Sequence, residues 1–135
     1  MKKAGIINQP ISAVISGLGH TDTITISDAG LPIPATTERI DLALTTGVPS
    51  FLQTLQAILE ELFVEKAIVA EEMKVVSPQI FEDVARLLGD VPIEVVPHVS
   101  FKELTAVSRA IIRTGEFTPY ANIILVAGAW GFDLD

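Results

Sequence analysis

The two histidines are the side chains of this sequence best suited to transferring protons near neutral pH. They are His20 and His98, and an unperturbed imidazole both gives and takes protons in that range. His20 lies between the first predicted helix and the first predicted strand, and His98 stands between a later strand and the helix that follows it. A histidine at such a junction can equally cap a helix end or bond a carbonyl group, so both roles stay open for each.

Asp28 is the carboxylate best placed to act beside them. It directly follows the first predicted strand, eight residues after His20, and strand ends are the usual location of ligand sites in α/β sheets. The extended strand between the two covers roughly 17 Å, so His20 and Asp28 need not touch within one chain. Asp28-Ala29-Gly30 is also typical of an ordinary Asx turn, which leaves a purely local role as the alternative.

A polar segment near the C-terminus, residues 112–122, is the most informative stretch of the chain. It is rich in turn-forming residues and ends in Tyr120, Ala121 and Asn122, directly before an apolar strand. Phenol, amide and backbone groups together form a hydrogen-bonding set suited to hydroxyl-rich ligands. The alternative is a hairpin turn between two edge strands, and the residue types alone do not decide between the two.

Several other kinds of site are excluded or disfavoured. The chain has no cysteine, which rules out disulfides and thiolate metal ligands. The carboxylates do not fall at spacings that would complete a zinc site with two histidines, so we predict no metal. Gly17-Leu18-Gly19 precedes a strand and lacks the lysine and serine of a phosphate-binding loop. The acidic pairs Glu60-Glu61 and Glu71-Glu72 are interpreted as solvated faces.

The composition predicts one domain that associates with copies of itself. The 135 residues are 49% hydrophobic and 19% charged, with a mean hydropathy of +0.49. This length fits a single domain over residues 1–135. A small globule with so few charges has apolar surface left for contacts between copies, and we therefore expect an oligomer.

The net charge and the lengths of the apolar runs limit the kinds of partner that the chain is expected to bind. The net charge is −8 and no basic cluster stands out, so a nucleic-acid backbone would be repelled. No apolar run approaches the length of a membrane span, and the N-terminal apolar stretch is too short for a signal peptide. We expect a soluble, cytoplasmic protein with no nucleic-acid partner and no membrane association.

Hydrophobic periodicity predicts strands alternating with helices, which is typical of an α/β sandwich with its sheet between helices. Four helices are predicted, starting at Pro10, after an N-cap at Ser50, at Ser77-Pro78 and at Phe101, and ending near Leu18, Leu62, Gly89 and Ser108. Six strands are predicted, over residues 23–27, 40–44, 64–70, 93–96, 110–112 and 123–126. Ser100 and Glu103 match a capping box for the last helix.

Three motifs stand in order along the chain, namely Leu18-Gly19-His20-Thr21-Asp22, the segment Ser27 to Pro34, and the segment Ile112 to Asn122. Together they resemble the ribose/fucose mutarotase family, and the third motif is the most distinctive. Residues 2–6 and the strand entry Glu65-Lys66 are also similar to the family, so the likeness spans nearly the whole chain. Phe132 to Asp135 extends past the usual end of the family and receives no role.

The resemblance implies an isomerase that interconverts β-D-ribopyranose and β-D-ribofuranose by acid–base ring opening and reclosure. At matched positions, His20 corresponds to the catalytic acid. The implied sugar-binding positions are Asp28, His98, Lys102, Tyr120, Ala121 and Asn122. L-fucose or another aldose is the alternative substrate, and a non-catalytic sugar-binding subunit linked to ribose uptake is the alternative function.

The resemblance also implies an architecture and an assembly. The expected fold is a three-layer α/β/α sandwich with a mixed central sheet. The expected assembly is a homodecamer of two stacked pentamers, with the sites at subunit contacts. Such proteins are cytoplasmic and need no metal or organic cofactor.

Overall fold

The computed structural model describes residues 1–130. The extension Phe132 to Asp135, for which no role is predicted, lies outside these described residues. In chain order the elements are α1 (Gln9–Gly17), β1 (Thr23–Ser27), β2 (Arg39–Asp41), α2 (Phe51–Leu59), β3 (Val64–Ala70), α3 (Glu71–Val76), α4 (Pro78–Leu88), β4 (Ile93–Val96), α5 (His98–Thr105), β5 (Ile111–Arg113) and β6 (Ile123–Ala127). Within this part of the chain, no helix is long and apolar enough to cross a bilayer.

The six strands form one mixed sheet in the order β2-β5-β1-β6-β3-β4. β6 runs antiparallel to both of its neighbours, β1 and β3, and every other neighbouring pair is parallel. The carboxyl ends of five strands and the amino end of β6 therefore lie along one edge, which we call the carboxyl edge. The opposite edge is called the amino edge.

Helices cover both faces of the sheet, but unequally. The larger core buries apolar side chains of α1 to α4, such as the fully buried Leu55, against one face. The smaller core packs Phe101 of α5 and Leu31 against Ile68 of β3 on the other face. Each fully buried side chain of this size contributes about 1.5–3 kcal/mol to folding. The predicted α/β fold with a sheet between helices is confirmed.

Several predicted bounds are also confirmed. β1, β3 and β4 begin and end at the predicted residues. Ser50 caps α2 as predicted: its Oγ accepts the Gln53 N–H at 3.1 Å, and the Gln53 side chain accepts the Ser50 N–H at 2.9 Å. This reciprocal capping box satisfies two backbone donors that the helix itself leaves free. The helix ends at Leu59, short of the predicted Leu62.

The prediction of a strand from Ile40 to Leu44 was wrong beyond Asp41. The Asp41 carboxylate accepts the Ala43 N–H at 3.0 Å, and such a local bond competes with continuation of the ladder. The chain then turns, and Leu44 is left 80% exposed. The alternating apolar residues Ile40, Leu42 and Leu44 therefore continue past the end of the strand at Asp41.

The capping box predicted from Ser100 and Glu103 was also wrong. α5 begins at His98, and its N-cap is Pro97, which makes no side-chain cap bond. The cap is supplied instead by Glu72, whose Oε1 accepts the His98 N–H at 3.0 Å. Because this acceptor comes from a distant segment, the local sequence placed the helix start too late.

α3 was not predicted. It follows β3 with no intervening loop, since Ala70 is both the last strand residue and the N-cap of the helix. Six residues are too few to show a clear helical period. Ser77, predicted to begin the next helix, makes no side-chain cap bond and instead donates from its Oγ to the Pro119 carbonyl at 2.6 Å.

Candidate active site

A cavity of about 530 Å³ opens at the carboxyl edge of the sheet. Its wall comes from the loop after β1, the start of α5, the end of β5 and the loop before β6. The charged or hydrogen-bonding side chains in this wall are Asp28, His98, Arg113, Glu116, Tyr120 and Asn122. They converge because β6 runs antiparallel to its neighbours, so that its amino end meets the carboxyl ends of the other strands.

Asp28 and Asn122 form a reciprocal pair in this wall. The Asp28 N–H donates to Asn122 Oδ1 at 2.8 Å, and Asn122 Nδ2 donates to Asp28 Oδ2 at 3.3 Å. Asp28 Oδ1 also accepts the N–H groups of Gly30 and Leu31, at 3.0 and 2.8 Å. A carboxylate has about four acceptor sites, so these three bonds fix its orientation and leave capacity for a ligand hydroxyl.

The environment of Asp28 perturbs its protonation. Burial raises the pKa of the Asp28 carboxyl above its usual value, because desolvation disfavours the charged form. The bonds from Gly30, Leu31 and Asn122 and the nearby His98 oppose this shift without cancelling it. A desolvated carboxyl beside a cavity is typical of functional sites.

The ring of His98 packs against two other aromatic side chains of the cavity region. The ring centroid lies 6.2 Å from that of Phe101, nearly parallel at 11°, and 5.0 Å from that of Tyr120, edge-on at 82°. Within residues 1–130, His98 Nδ1 is the buried side-chain polar atom that has no hydrogen-bond partner. Leaving such a group unpaired typically costs about 1–3 kcal/mol.

Glu72 fixes the backbone at His98 rather than its ring. Its carboxylate accepts the His98 N–H, and a carboxylate at a helix N-terminus also interacts favourably with the helix dipole. The interpretation of the pair Glu71-Glu72 as a solvated face is therefore wrong for Glu72.

Tyr120 adopts a backbone conformation that L residues rarely take. Its φ is 62°, which costs roughly 1–2 kcal/mol for a residue with a side chain. The preceding loop holds it there: the Ser77 hydroxyl binds Pro119, and Glu116 accepts bonds from Phe51 N at 3.0 Å and from Thr118 Oγ1 at 2.7 Å. Backbone strain that the surroundings enforce in this way is frequent at ligand sites.

Arg113 ties the Asp28 loop to β2. Its Nε donates to the Ala29 carbonyl at 3.0 Å, and its Nη1 lies 3.1 Å from both carboxylate oxygens of Asp41. Burial acts to raise the pKa of Asp41, but the Ala43 N–H and the Arg113 guanidinium outweigh it and lower the pKa. The Arg113 guanidinium thus holds the loop after β1 in place as part of the cavity wall.

His20 lies at the amino edge, at the other end of β1 from Asp28. It lines a separate cavity of about 340 Å³ together with Phe63 and Trp130, whose rings meet edge to face at 5.9 Å. Its Nε2 is 3.0 Å from Glu65 Oε2, and the two side chains are 44% and 29% exposed. His20 is therefore an accessible imidazole held by a carboxylate.

The turn that carries His20 is held by Asp22. Asp22 Oδ2 accepts the Gly19 N–H at 2.8 Å, and Oδ1 lies 3.3 Å from the Arg109 guanidinium. These two donors, the backbone group first, lower the pKa of Asp22. Between His20 and Asp22, Thr21 has a φ of 72°, so this turn is strained as well.

Comparison with known proteins shows which family this chain belongs to. The RbsD / FucU transport protein family matches residues 1–130. The chain belongs to this family. It is 52% identical to the D-ribose pyranase of Geobacillus thermodenitrificans and 54% identical to that of Coprothermobacter proteolyticus, in both cases over 128 residues. These matches cover 95% of this chain and 97% and 98% of the two relatives.

Solved structures of the RbsD/FucU family share the fold. Bacillus subtilis RbsD complexed with D-ribose matches with a TM-score of 0.93 and 46% identity, covering 96% of this chain and 98% of its own. The fucose mutarotase of Streptococcus pneumoniae, in complex with L-fucose, matches with a TM-score of 0.77 and 23% identity over 91% and 94% of the two chains. The second likeness shows the fold alone.

In this RbsD/FucU chain, the residues expected to form the site fall into three groups. Asp28, His98, Tyr120 and Asn122 line the carboxyl-edge cavity. His20 does not; it lines the cavity at the amino edge. Lys102 and Ala121 line neither cavity: Lys102 is exposed on α5, and Ala121 is fully buried in the larger core.

Arg113, Glu116 and Glu65 were not assigned a role at either region from the sequence. Arg113 and Glu116 lie inside the polar segment that drew attention, and their charge directly after an apolar strand is the signal that could have found them. Glu65 is a charged residue near the start of an apolar strand, and no local pattern relates it to His20. Among the described residues, no three histidine, aspartate or glutamate side chains lie close enough to hold a metal ion.

Proposed function

We propose that this chain, as one ribose pyranase-like domain over residues 1–135, is a D-ribose pyranase: an isomerase that interconverts β-D-ribopyranose and β-D-ribofuranose. The observation that carries this function is the convergence of Asp28, His98, Tyr120 and Asn122 on one cavity, in a chain about half identical to D-ribose pyranases over nearly its whole length. The match to Bacillus subtilis RbsD complexed with D-ribose supports the same substrate.

The cavity suits a small polyhydroxylated ligand. Its volume of about 530 Å³ lies within the usual range for small-molecule sites. The Asp28 carboxylate accepts sugar hydroxyl bonds, and Asn122 keeps that carboxylate oriented. The Tyr120 phenol offers a further hydrogen-bonding group, and the ring of His98 lines the cavity beside it.

The reaction needs proton transfer and no covalent intermediate. The anomeric hydroxyl loses a proton while the bond from C1 to the ring oxygen breaks, and that oxygen gains a proton, which gives the open-chain aldehyde. A different hydroxyl then attacks C1 and loses its proton while the carbonyl oxygen gains one, which closes the furanose ring. General acid–base catalysis of this kind typically contributes about 10²–10⁴-fold, and neither metal nor organic cofactor is needed.

His20 is the proposed catalytic acid, and it acts on the sugar bound at a neighbouring copy. Within one chain His20 and Asp28 stand at opposite ends of β1, which spans roughly 17 Å. A site that joins them therefore requires two copies of the chain, with the amino edge of one against the carboxyl edge of the other. This requirement supports sites at subunit contacts.

Lys102 and Ala121 have smaller proposed roles. Lys102 is four residues after His98 on α5, hence on the same side of the helix, and it stabilises negative charge that develops on a sugar oxygen. Ala121 is fully buried, so it contributes through its backbone groups rather than its side chain.

The proposed assembly is a homodecamer of two stacked pentamers in the cytoplasm. Exposed apolar side chains support self-association, because isolated monomers rarely leave such patches in water. On α5 and the turn after it, Val99 is 65% exposed and Val107 is 74% exposed. Nucleic acid and membrane are not among the proposed partners.

The test of this function is saturation-transfer NMR on D-ribose, which measures exchange between pyranose and furanose forms. We expect the wild-type chain to speed exchange and His20→Ala to lose about 10²–10⁴-fold of that enhancement. Equal exchange in both proteins would remove His20 from the catalytic role. Ser16→Ala, an exposed change on α1 close to His20 in the sequence, is the control and should leave exchange unaltered.

The same experiment separates the alternatives. A chain that acts on L-fucose or another aldose would speed exchange of that sugar more than exchange of ribose. A non-catalytic sugar-binding subunit would bind ribose with no effect on exchange. The similarity to D-ribose pyranases near 50% identity, against 23% for the fucose mutarotase, favours ribose.

A further inference from the structure

The short helix α3 holds two parts of the carboxyl-edge cavity wall that are far apart in the sequence. Glu72, in its first turn, accepts the His98 N–H at 3.0 Å. Ser77, the residue at which α3 ends and α4 begins, donates its hydroxyl to the Pro119 carbonyl at 2.6 Å. These bonds span 26 and 42 residues. A helix of six residues therefore contacts both the start of α5 and the loop before β6.

α3 is itself fixed to the sheet. It continues β3 without a loop, and its Met73 side chain is fully buried in the larger core. The Ser77 N–H also donates to the Met73 carbonyl at 3.0 Å. Because side chains in a close-packed core move little, Glu72 and Ser77 have defined positions relative to the sheet.

The bond from Ser77 fixes the peptide that precedes Tyr120. The torsion φ of Tyr120 is defined relative to the Pro119–Tyr120 peptide, and its value of 62° lies in the left-handed region. Ser77 stands at the N-cap of α4, where serine normally accepts from a helix N–H, but it makes no side-chain cap bond there. The Tyr120 carbonyl in turn accepts the Asn122 N–H at 2.8 Å. Both peptides that flank Tyr120 are therefore held.

The two segments that α3 holds meet in the cavity wall. His98 and Tyr120 both line the cavity, and their ring centroids lie 5.0 Å apart, edge-on at 82°. An edge-to-face contact of this kind depends on the position and the angle of both rings. Loss of either bond to α3 would therefore change the shape of the wall at this pair of rings.

We propose that α3 is a positioning element for sugar binding: Glu72 and Ser77, near its two ends, set the contact of His98 with Tyr120 and thereby the affinity of the cavity for the sugar. The inference rests on the function proposed for this cavity. Glu72 and Ser77 are not among the residues that line the cavity, so each acts through a residue of the wall. The proposed catalytic acid lies at the other edge of the sheet, so loss of either bond raises KM and leaves kcat unchanged.

The first test measures KM and kcat for ribose exchange in Glu72→Ala and Ser77→Ala. Each variant loses one hydrogen bond that orients the wall, so we expect KM to rise about 3–10-fold with kcat unchanged. Glu71→Ala is the control for the first variant, because it removes the exposed neighbouring acid. Ser50→Ala is the control for the second, because it removes the cap of α2. Both controls should keep the KM of wild type, although Ser50→Ala should unfold at a lower temperature.

The joint action of the two ends is tested by combining the two variants. If Glu72 and Ser77 act on the same pair of rings, the combined variant should raise KM by less than the product of the two single effects. Glu72→Gln keeps an acceptor oxygen and should have a KM close to that of wild type. An unchanged KM in either alanine variant, an equal rise in its control, or fully multiplicative effects would overturn the inference.

A spectroscopic measurement separates this inference from the proposed function. Tyr120 is the only tyrosine of the chain, so protein labelled with ¹³C-tyrosine gives one set of ring signals. These signals should move in both alanine variants of α3, because they depend on the distance and angle of the neighbouring imidazole, and should stay in place in the two controls. Unmoved signals in the α3 variants would overturn the inference. No exchange enhancement in wild type would instead overturn the proposed function, and the tyrosine signals would still decide whether α3 positions the two rings.

Discussion

The two ends of β1 carry the two parts of the proposed site, and they are built differently. At the carboxyl edge, Asp28 is partly buried, bonded to three donors and raised in pKa. At the amino edge, Asp22 stands beside His20 and is lowered in pKa by the Gly19 N–H and Arg109. The two aspartates thus flank one short strand, and their pKa values are shifted in opposite directions.

The two histidines repeat this contrast. A glutamate accepts from each of them, but Glu65 faces the ring of His20, whereas Glu72 takes the backbone N–H of His98. The ring of His20 contacts Glu65 and is 44% exposed, while the half-buried ring of His98 packs against Phe101 and Tyr120. In the proposed function, the amino edge supplies the group that moves a proton, and the carboxyl edge binds the sugar.

The largest expected effect comes from joining the two ends across different copies. Neither His20→Ala nor Asp28→Asn alone should be active, but subunits of the two variants unfolded together and refolded in equal amounts should regain activity. Random association gives a site with both residues intact about one time in four, so we expect roughly a quarter of the wild-type exchange rate.

The control for this experiment is each variant refolded with itself, alongside wild type taken through the same treatment. A mixture no more active than the two variants separately would show that His20 and Asp28 do not serve one site across copies. The comparison of the two ends would then describe two independent regions.

A smaller effect is expected from close packing behind the carboxyl-edge cavity. A Cβ on Gly115 would lie 2.5 Å from the carbonyl oxygens of Thr45 and Val48, and backbone atoms cannot move aside cheaply. Gly115→Ala should therefore lower the free energy of unfolding by about 1–3 kcal/mol, measured by urea denaturation. Gly17→Ala, near the amino edge with nothing within 4 Å of its added Cβ, is the matched control and should change stability by less than about 0.5 kcal/mol. Equal losses in the two variants would contradict this difference between the ends.

The smallest expected effect is in the pH dependence of stability. Because the folded pKa of Asp28 is raised, its carboxylate disfavours folding at neutral pH, and this cost disappears as the pH falls through the raised pKa towards the usual value of about 3.9. Asp22 is the reverse: its folded pKa is lowered, so the stability it contributes is present above about pH 3.9 and is lost as the pH falls below that value.

Thermal unfolding between pH 7 and pH 3 of Asp28→Asn and Asp22→Asn measures both signs. The melting temperature of Asp28→Asn should fall relative to that of wild type as the pH falls from 7 to 4. The difference in melting temperature between Asp22→Asn and wild type should become smaller below pH 4. The slope is the readout, since Asp28→Asn also loses the bond from Asn122. If the melting temperatures of the two variants changed with pH in the same way, the two ends of β1 would not differ in their electrostatics.

Local patterns predicted those parts of the fold that local interactions determine. The alternation of residues 23–27 and the apolar run of 64–70 give strands with the predicted bounds, and Ser50 caps its helix through a residue three positions away. α5 was misplaced because its cap, Glu72, is 26 residues distant. Distance in the sequence explains this failure, whereas β2 was predicted too long because of a local bond from Ala43 to Asp41, and α3 was missed because it has only six residues.

The same limit applies to the candidate site. Residue types and motifs indicated Asp28 and Asn122 individually, but their reciprocal bonds join residues 94 positions apart, and no periodicity encodes that pairing. Glu65 was missed as a contact of His20 because the two residues lie 45 positions apart and the pairing of β3 with β6 shifts register between Val64 and Lys66. The left-handed backbone at Tyr120 likewise depends on its surrounding loop rather than on its residue type.

The position of β6 has a consequence for how the molecule is made. It is the last strand within residues 1–130, yet it lies between β1 and β3 in the middle of the sheet. Until it has left the ribosome, β2, β5 and β1 have no hydrogen-bonded link to β3 and β4, and the larger core lacks Ile123 and Leu125. A nascent or prematurely ended chain that stops before residue 120 therefore has two unjoined half-sheets with exposed strand edges, which is the kind of species that aggregates or is degraded. Synthesis of this strand, which directly follows Asn122, is therefore also the step that joins the two half-sheets.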